Sequence, residues 1–218
     1  MKTPIIAALF VLLAGCKETN NTTAQVENLP EPIQAQTQDG KAKAYFASGC
    51  FWCVEAIFES VKGVDEVISG YSGGTESNPS YKEVSYGRTS HAEAVEVIYD
   101  PSIISFEKLV DVFFGSQDPT TKNRQGPDAG PQYRSIAFYQ NAEEKKIIEE
   151  TITELNTSTF DGGIVTQVRP FQKFWIAEGY HQNYEKNNPN NPYIQNVSIP
   201  RYNRFAKKFP ELLKEGDH

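Results

Sequence analysis

Two cysteines three positions apart, Cys50 and Cys53, enclose a pair of bulky aromatics, Phe51 and Trp52. Thiols at this spacing at a helix start can be ionised, oxidised to a sulfenic acid or joined as a disulfide. The apolar run Ala44-Tyr45-Phe46-Ala47 reads as a strand that stops at Ser48-Gly49. Residues 54–61 then space their apolar side chains as an amphipathic helix does. Both thiols therefore fall at a strand-to-helix turn, with Ser48 or Gly49 expected as the N-cap. Unpaired backbone N–H groups and the positive end of the helix dipole favour an anion there, which predicts a thiolate on Cys50. An ordinary thiol, with a pKa near 8.5, is only about 3% ionised at pH 7, and a pKa near 7 makes roughly half of it nucleophilic. The competing reading is packing, since Cys is often a small buried hydrophobe and Phe and Trp are normally core residues. The pair at this turn favours chemistry. No second cysteine pair or paired histidines follow at finger spacing, which argues against zinc.

The remaining chain must supply the framework. Val64–Tyr71 reads as a strand ended by Ser72-Gly73-Gly74, and Pro79–Val84 as a loop or short helix. Ala92–Tyr99 alternates so that Val95, Val97 and Tyr99 share one face of a strand. Ser105 opens a capped helix through Phe114, and Pro119–Pro131, rich in Gly, Asn and Asp, is a long functional loop. Ser135–Tyr139 is a buried strand, Ala142–Asn156 a helix, and Ile164–Val168 a strand closed by Arg169-Pro170. A short helix over Glu178–Lys186 precedes an Asn/Pro-rich coil. Alternating strands and helices predict an α/β or α+β domain: a mixed β-sheet flanked by helices, a two-layer sandwich with a coil-rich C-terminal segment. Residues 41–218 suit one domain that buries roughly 70% of its unfolded surface. A net charge of −7 without a basic stripe argues against nucleic acid as a partner.

The front of the chain reads as an address. Met1-Lys2 and the apolar run Ile5–Ala14 resemble an export signal, too short for the about 20 apolar residues a membrane span needs. Leu13-Ala14-Gly15-Cys16 resembles the bacterial lipobox, in which the leader (residues 1–15) is removed and the cysteine carries the lipid. Cys16 is thus the expected lipidation site, giving an exported protein anchored to a bacterial membrane and facing the periplasm or exterior. Residues 16–40 are polar and Pro-containing and are expected to form a flexible tether. Fully extended, about 24 residues reach at most roughly 80 Å.

Several blocks recur in a familiar order: Gly49-Cys50-Phe51-Trp52, Asn78-Pro79-Ser80-Tyr81, Gly87, His91-Ala92-Glu93-Ala94, Gln125-Gly126-Pro127-Asp128, Gln132-Tyr133-Arg134-Ser135 and Glu178–Tyr184. Together, over residues 42 to about 205, they resemble the peptide methionine sulfoxide reductase A family, which reduces the S epimer of methionine sulfoxide. The resemblance implies that Cys50 takes the sulfoxide oxygen and becomes a sulfenic acid. It implies that Glu93 protonates that oxygen and that Tyr81 and Tyr133 bind it. Phe51 and Trp52 would line an apolar pocket for the substrate methyl group, and Asp128 would order the site from the long loop. Between Ala92 and Ala94, Glu93 is expected to be desolvated, which raises a carboxyl pKa; apart from the resemblance, a solvent-facing strand Glu is the default. His181 is read either as a catalytic group or as a buried, hydrogen-bonded structural one.

This chain departs from many members in having no cysteine after position 53, where others often carry a resolving thiol in a C-terminal tail. Cys53 itself stands where Gly is common. The expectation is a Cys50–Cys53 disulfide, although a helical backbone must relax for good disulfide geometry. The alternative is an inert Cys53 and an external resolving thiol. Recycling would fall to a thioredoxin-like dithiol, with no metal or organic cofactor and oxidised methionine in proteins or peptides as substrate. A monomer is expected. Two rivals remain at this stage. A thiol–disulfide oxidoreductase would share the CxxC but need no Glu93. A lipid-anchored binding module would keep its function after Cys50→Ser.

Overall fold

The computed structural model describes residues 29–37 and 39–216. The expected leader, Cys16 and the tether up to residue 28 lie outside the described residues. The strands are β1 (Ala42–Ser48), β2 (Val64–Ser72), β3 (Ala92–Tyr99), β4 (Arg124–Gln125), β5 (Asp128–Ala129), β6 (Ser135–Tyr139), β7 (Gln167–Pro170) and β8 (Phe174–Ile176). The helices are α1 (Phe51–Glu59), α2 (Tyr81–Ser85), α3 (Phe106–Gly115), α4 (Ala142–Leu155), α5 (Tyr184–Asn187) and α6 (Ile199–Lys208). Six strands form one sheet in the order β7-β6-β1-β3-β2-β8, and β4 and β5 make a small hairpin. Every neighbouring pair in the large sheet is antiparallel except β6 with β7. The mixed sheet with flanking helices is as the sequence predicts.

Alternation along the strands sorts side chains between two cores. Ala44 and Phe46 of β1 and Val95, Val97 and Tyr99 of β3 face the helix layer with Phe58, Leu109 and Phe113. Phe46 packs on Phe58 and Phe113 with ring centroids 5.2 and 5.1 Å apart, each buried ring contributing roughly 1.5–3 kcal/mol. The opposite face holds Tyr45, Ala47, Ala92, Ala94, Ile136 and Phe138, closed by Phe171, with Ala35 and Phe174 packed against them. Phe171 stacks on Tyr45 at 3.7 Å.

Part of the expected tether is therefore structural. Ile33 N–H donates to Phe171 O (2.8 Å), Ala35 N–H to Gln140 Oε1 (2.8 Å), and Gln172 Nε2 to Glu31 O (2.6 Å). Residues 29–37 thus lie as a strap over the helix-free face, because Phe171 and Phe174 leave apolar surface there for Ala35 to cover. At roughly 1 kcal/mol per hydrogen bond, a chain starting at residue 39 should be less stable than one starting at residue 29 by about 2–3 kcal/mol. Urea midpoints of the two chains check this.

Other differences have local causes. The strand expected at 164–168 lies at β7 and includes Arg169-Pro170, since an edge strand tolerates a proline that donates no ladder bond. The three-residue β8 is too short to carry a pattern. The expected Asn/Pro-rich coil ends sooner than the sequence suggests, in a widened turn over Ile194–Ser198 that runs into α6. Ile194, Ser198, Arg201 and Phe205 fall on one buried helical face, and Pro200 sits in the first turn, where its missing N–H costs nothing. The polar members of that face conceal its periodicity.

Candidate active site

The chain turns from β1 into α1 at Gly49, whose φ of +88° suits glycine; a Cβ there would lie 2.6 Å from Gln125 Cβ. Gln125 bonds both Asp118 N–H (3.2 Å) and Asp118 O (3.2 Å), so the long loop is braced against this turn. The N-cap of α1 is Cys50 rather than Ser48 or Gly49, and its side chain caps nothing. Phe51, Trp52 and Cys53 therefore occupy the first helical turn. Phe51 N–H, one of the orphan donors there, is taken by Glu93 Oε2 at 3.1 Å.

Glu93 reaches that position by register. It shares parity with Val95 and Val97 on β3, so it points into the helix-side core while Ala92 and Ala94 point to the other face. It is 2% exposed. Burial, with Asp128 and Cys53 adding to it and the Phe51 N–H opposing, pushes its pKa up to about 8. The carboxyl is accordingly protonated at neutral pH. The solvent-facing alternative is excluded.

Cys50 and Cys53 are both free and buried, one at the N-cap and the other in the first turn of α1, and each bears on the ionisation of the other. The expected lowering of Cys50 is not what this environment produces. Burial pushes Cys50 up, Cys53 and Glu93 acting the same way. Cys53 is lowered to about 7, first by the hydrogen bond from Cys50, which with Arg201, Ser198 and Tyr193 outweighs burial. The pair shares one negative charge held towards Cys53, and Cys50 S–H donates to it. The helix start favours this anion, but tertiary partners choose the sulfur.

The other predicted residues converge on the same spot. The hydroxyls of Tyr81, on α2, and Tyr133 are pushed up by burial and then by the nearby Glu93 and Cys50. Both therefore stay protonated donors. Tyr81 is held by its backbone, since its N–H donates to Glu178 Oε1 (2.9 Å) while Tyr71 Oη–H donates to Glu178 Oε2 (2.8 Å). Asp128, on β5, accepts from Tyr193 Oη at 2.5 Å, and that hydroxyl oxygen lies 3.8 Å from Cys53 Sγ.

Trp52 is clamped. Its ring stacks on Tyr184 at 3.7 Å and 8°, meets Tyr193 edge-on at 5.9 Å, and its indole N–H donates to His181 Nδ1 at 3.1 Å. That bond puts the His181 proton on Nε2, which is buried without a hydrogen-bond partner among the described residues. Burial lowers the His181 pKa, Glu178 opposing, so the ring is neutral. Phe51 and Tyr81 complete the box, with centroids 5.0 and 4.3 Å from that of His181. A cleft of about 850 Å³ borders Trp52 on its other side, lined by Glu55, Glu185 and Tyr202 among others; Cys50 and Glu93 do not line it.

Sequence reasoning missed Tyr193 and Arg201 as members of this site. Both follow the Asn/Pro-rich stretch, and only the helical spacing of Ile194, Ser198, Arg201 and Phe205 hints at an inward face. Glu178 was visible in a motif block, without a role.

A soft sulfur nucleophile, a neutral carboxylic acid and two phenol donors around an aromatic box make a thiol-dependent oxidoreductase that acts on an oxygen-bearing substrate. The family model of peptide methionine sulfoxide reductase matches residues 42–213. Peptide methionine sulfoxide reductase MsrA of Pasteurella multocida is 48% identical over 172 residues, covering 79% of this chain and 98% of that protein. MsrA 1 of Rhodopirellula baltica is 47% identical over 184 residues, covering 84% and 95%. Among solved structures, Saccharomyces cerevisiae Mxr1 in reduced form matches with a TM-score of 0.67 at 34% identity, covering 74% of this chain and 93% of that one. Methionine sulfoxide reductase A of Corynebacterium diphtheriae matches with a TM-score of 0.62 at 34% identity, covering 74% and 84%. The chain belongs to the peptide methionine sulfoxide reductase family, and its reaction is the reduction of methionine sulfoxide.

Proposed function

We propose that this enzyme reduces the S epimer of methionine sulfoxide in two thiol steps and repairs exported proteins at a membrane surface. Cys50 passes its shared proton to Cys53 and attacks the substrate sulfoxide. Glu93 protonates the oxygen, which Tyr81 and Tyr133 hold, while Phe51 and Trp52 enclose the methyl group and Asp128 orders the site from its loop. Methionine leaves, and Cys50 carries the oxygen as a sulfenic acid. Cys53 then attacks that sulfur, giving a Cys50–Cys53 disulfide and water. Two thiols and one sulfoxide become one disulfide, one thioether and one water. A thioredoxin-like dithiol reduces the disulfide.

The single observation that carries this reading is the protonated, buried Glu93 bonded to the first N–H of the helix that starts beside Cys50. The exported, lipid-anchored state rests on the leader and Cys16 motif in the sequence. With residues 29–37 docked, only about a dozen residues would remain as free tether, a typical span of roughly 20 Å.

Single-turnover reduction of each epimer of a methionine sulfoxide peptide, using pre-reduced protein without added thiol, is the direct test. The expected yield is one equivalent of methionine from the S epimer alone, with a new Cys50–Cys53 disulfide found by mass spectrometry. Equal yields from both epimers would remove the stereochemical claim. A persistent sulfenic acid would remove the role of Cys53.

A further inference from the structure

Arg201 is a cation where cations are costly. It is 6% exposed, on the face of α6 that meets α1 behind the thiol pair. Its guanidinium is clamped from two sides: Nε donates to Ser116 O (2.7 Å) at the end of α3, and one Nη donates to Ser48 Oγ (3.2 Å) at the end of β1. The other Nη lies 3.5 Å from where a Cβ of Gly49 would stand, beside the backbone that leads into Cys50. Among the described residues no carboxylate forms a salt bridge with it. A buried guanidinium without a paired carboxylate needs negative charge nearby. The acidic groups facing it are Cys53 and Asp128, both of which feel its charge. Asp128 is already engaged by Tyr193. Ser198, three residues earlier on the same helical face, donates its hydroxyl to Glu185 and also lowers Cys53.

We infer that Arg201 is a positioning residue for the second chemical step: its fixed guanidinium keeps the negative charge of the cysteine pair on Cys53. Cys53 takes the Cys50 proton before the first step, and the guanidinium then favours its return to a thiolate, the proton passing to the Glu93 carboxylate that the first step leaves. In the second step the Cys53 thiolate bonds to Cys50 sulfur, the S–O bond breaks, and the departing hydroxide takes that proton from Glu93 to leave as water. Arg201 touches no reacting atom in this scheme. The inference rests on the reading of Cys53 as the resolving thiol, and its test separates the two.

The test uses the full-length chain and three readouts. Quenched-flow analysis follows methionine release and loss of the sulfenic acid, and peptide-level mass spectrometry follows iodoacetamide labelling of Cys53 against pH in a Cys50→Ser background. Arg201→Gln, which keeps a donor for Ser116 O but no charge, should move the Cys53 labelling profile up by about one pH unit, a tenfold loss of thiolate below it. Sulfenic acid decay should slow about tenfold, with methionine release in the first turnover slowed less. Arg201→Lys should restore both to within about threefold, which a purely packing role would not do. An unshifted Cys53 profile in Arg201→Gln would overturn the inference, whatever happens to the disulfide. Failure of the unsubstituted chain to form any Cys50–Cys53 disulfide would overturn the resolving role instead. If Arg201→Gln does not fold, Arg201→Lys decides: it keeps the charge but loses both clamping bonds, so decay near the parent rate supports the inference and decay slowed tenfold overturns it.

Discussion

Glu93→Gln is expected to slow the release of methionine in a single turnover by about 10²–10⁴-fold, the usual range for loss of a positioned general acid. Gln fits the same space and can still accept the Phe51 N–H, so the helix start should survive. The variant should also be more stable than the parent at alkaline pH. With the folded pKa raised to about 8 against an ordinary carboxyl value of 4.5, the folded state keeps a proton that the unfolded state loses. Between those two values the unfolded state binds fewer protons, so stability falls as pH rises and levels off above about 8. Removing that ionisation should recover about 4–5 kcal/mol at pH 8.5, and essentially nothing below pH 4.5. Denaturant unfolding of both proteins across pH 4.5–9 reads the difference. Buried Glu55, also pushed up by burial, to about 7, leaves the variant with a shallower slope of the same sign. A Glu93→Gln chain that is inactive but no more stable at pH 8.5 would show that folding does not raise the Glu93 pKa. The pH profile of the first step should agree: an acid limb near 7 from the cysteine pair and an alkaline limb near 8 from Glu93, the latter absent from any residual activity of the variant.

Cys53→Ser separates the two chemical steps. One equivalent of methionine should still form, because Cys50, Glu93 and the two tyrosines are untouched. Turnover with a thioredoxin-type dithiol should fall on the order of a hundredfold, since a sulfenic acid must now be attacked directly by an external thiol in a nearly closed site. Dimedone labelling followed by mass spectrometry should find the adduct on Cys50, in amounts absent from the parent. Normal multiple turnover would show that Cys53 is a wall residue and that resolution comes from outside. The placement of Cys53 in the first turn of the helix that Cys50 caps, both cysteines free and buried, is the geometric reason to expect the stall.

Local pattern was enough for some of this protein. A short apolar run ended by Ser48-Gly49 identified β1, alternation identified β3, and Ser105 and the apolar spacing behind it identified α3. A glycine followed by a cysteine pair located the strand-to-helix turn that carries the thiols. Resemblance across several blocks added Glu93, Tyr81, Tyr133 and Asp128, which no local property of those residues would have distinguished from packing. Only the tertiary structure decided what those groups are chemically. Glu93 is neutral because its parity on β3 places it under α1, while Ala92 and Ala94, flanking it in sequence, lie on the other face. The charge of the cysteine pair moves to Cys53 because Tyr193, Ser198 and Arg201 arrive from about 140 residues away. Periodicity reports which way a side chain points relative to its neighbours in sequence. Ionisation and burial depend on what the rest of the chain places against it, and neither α6 nor the strap over 29–37 announces its partners in its own residues.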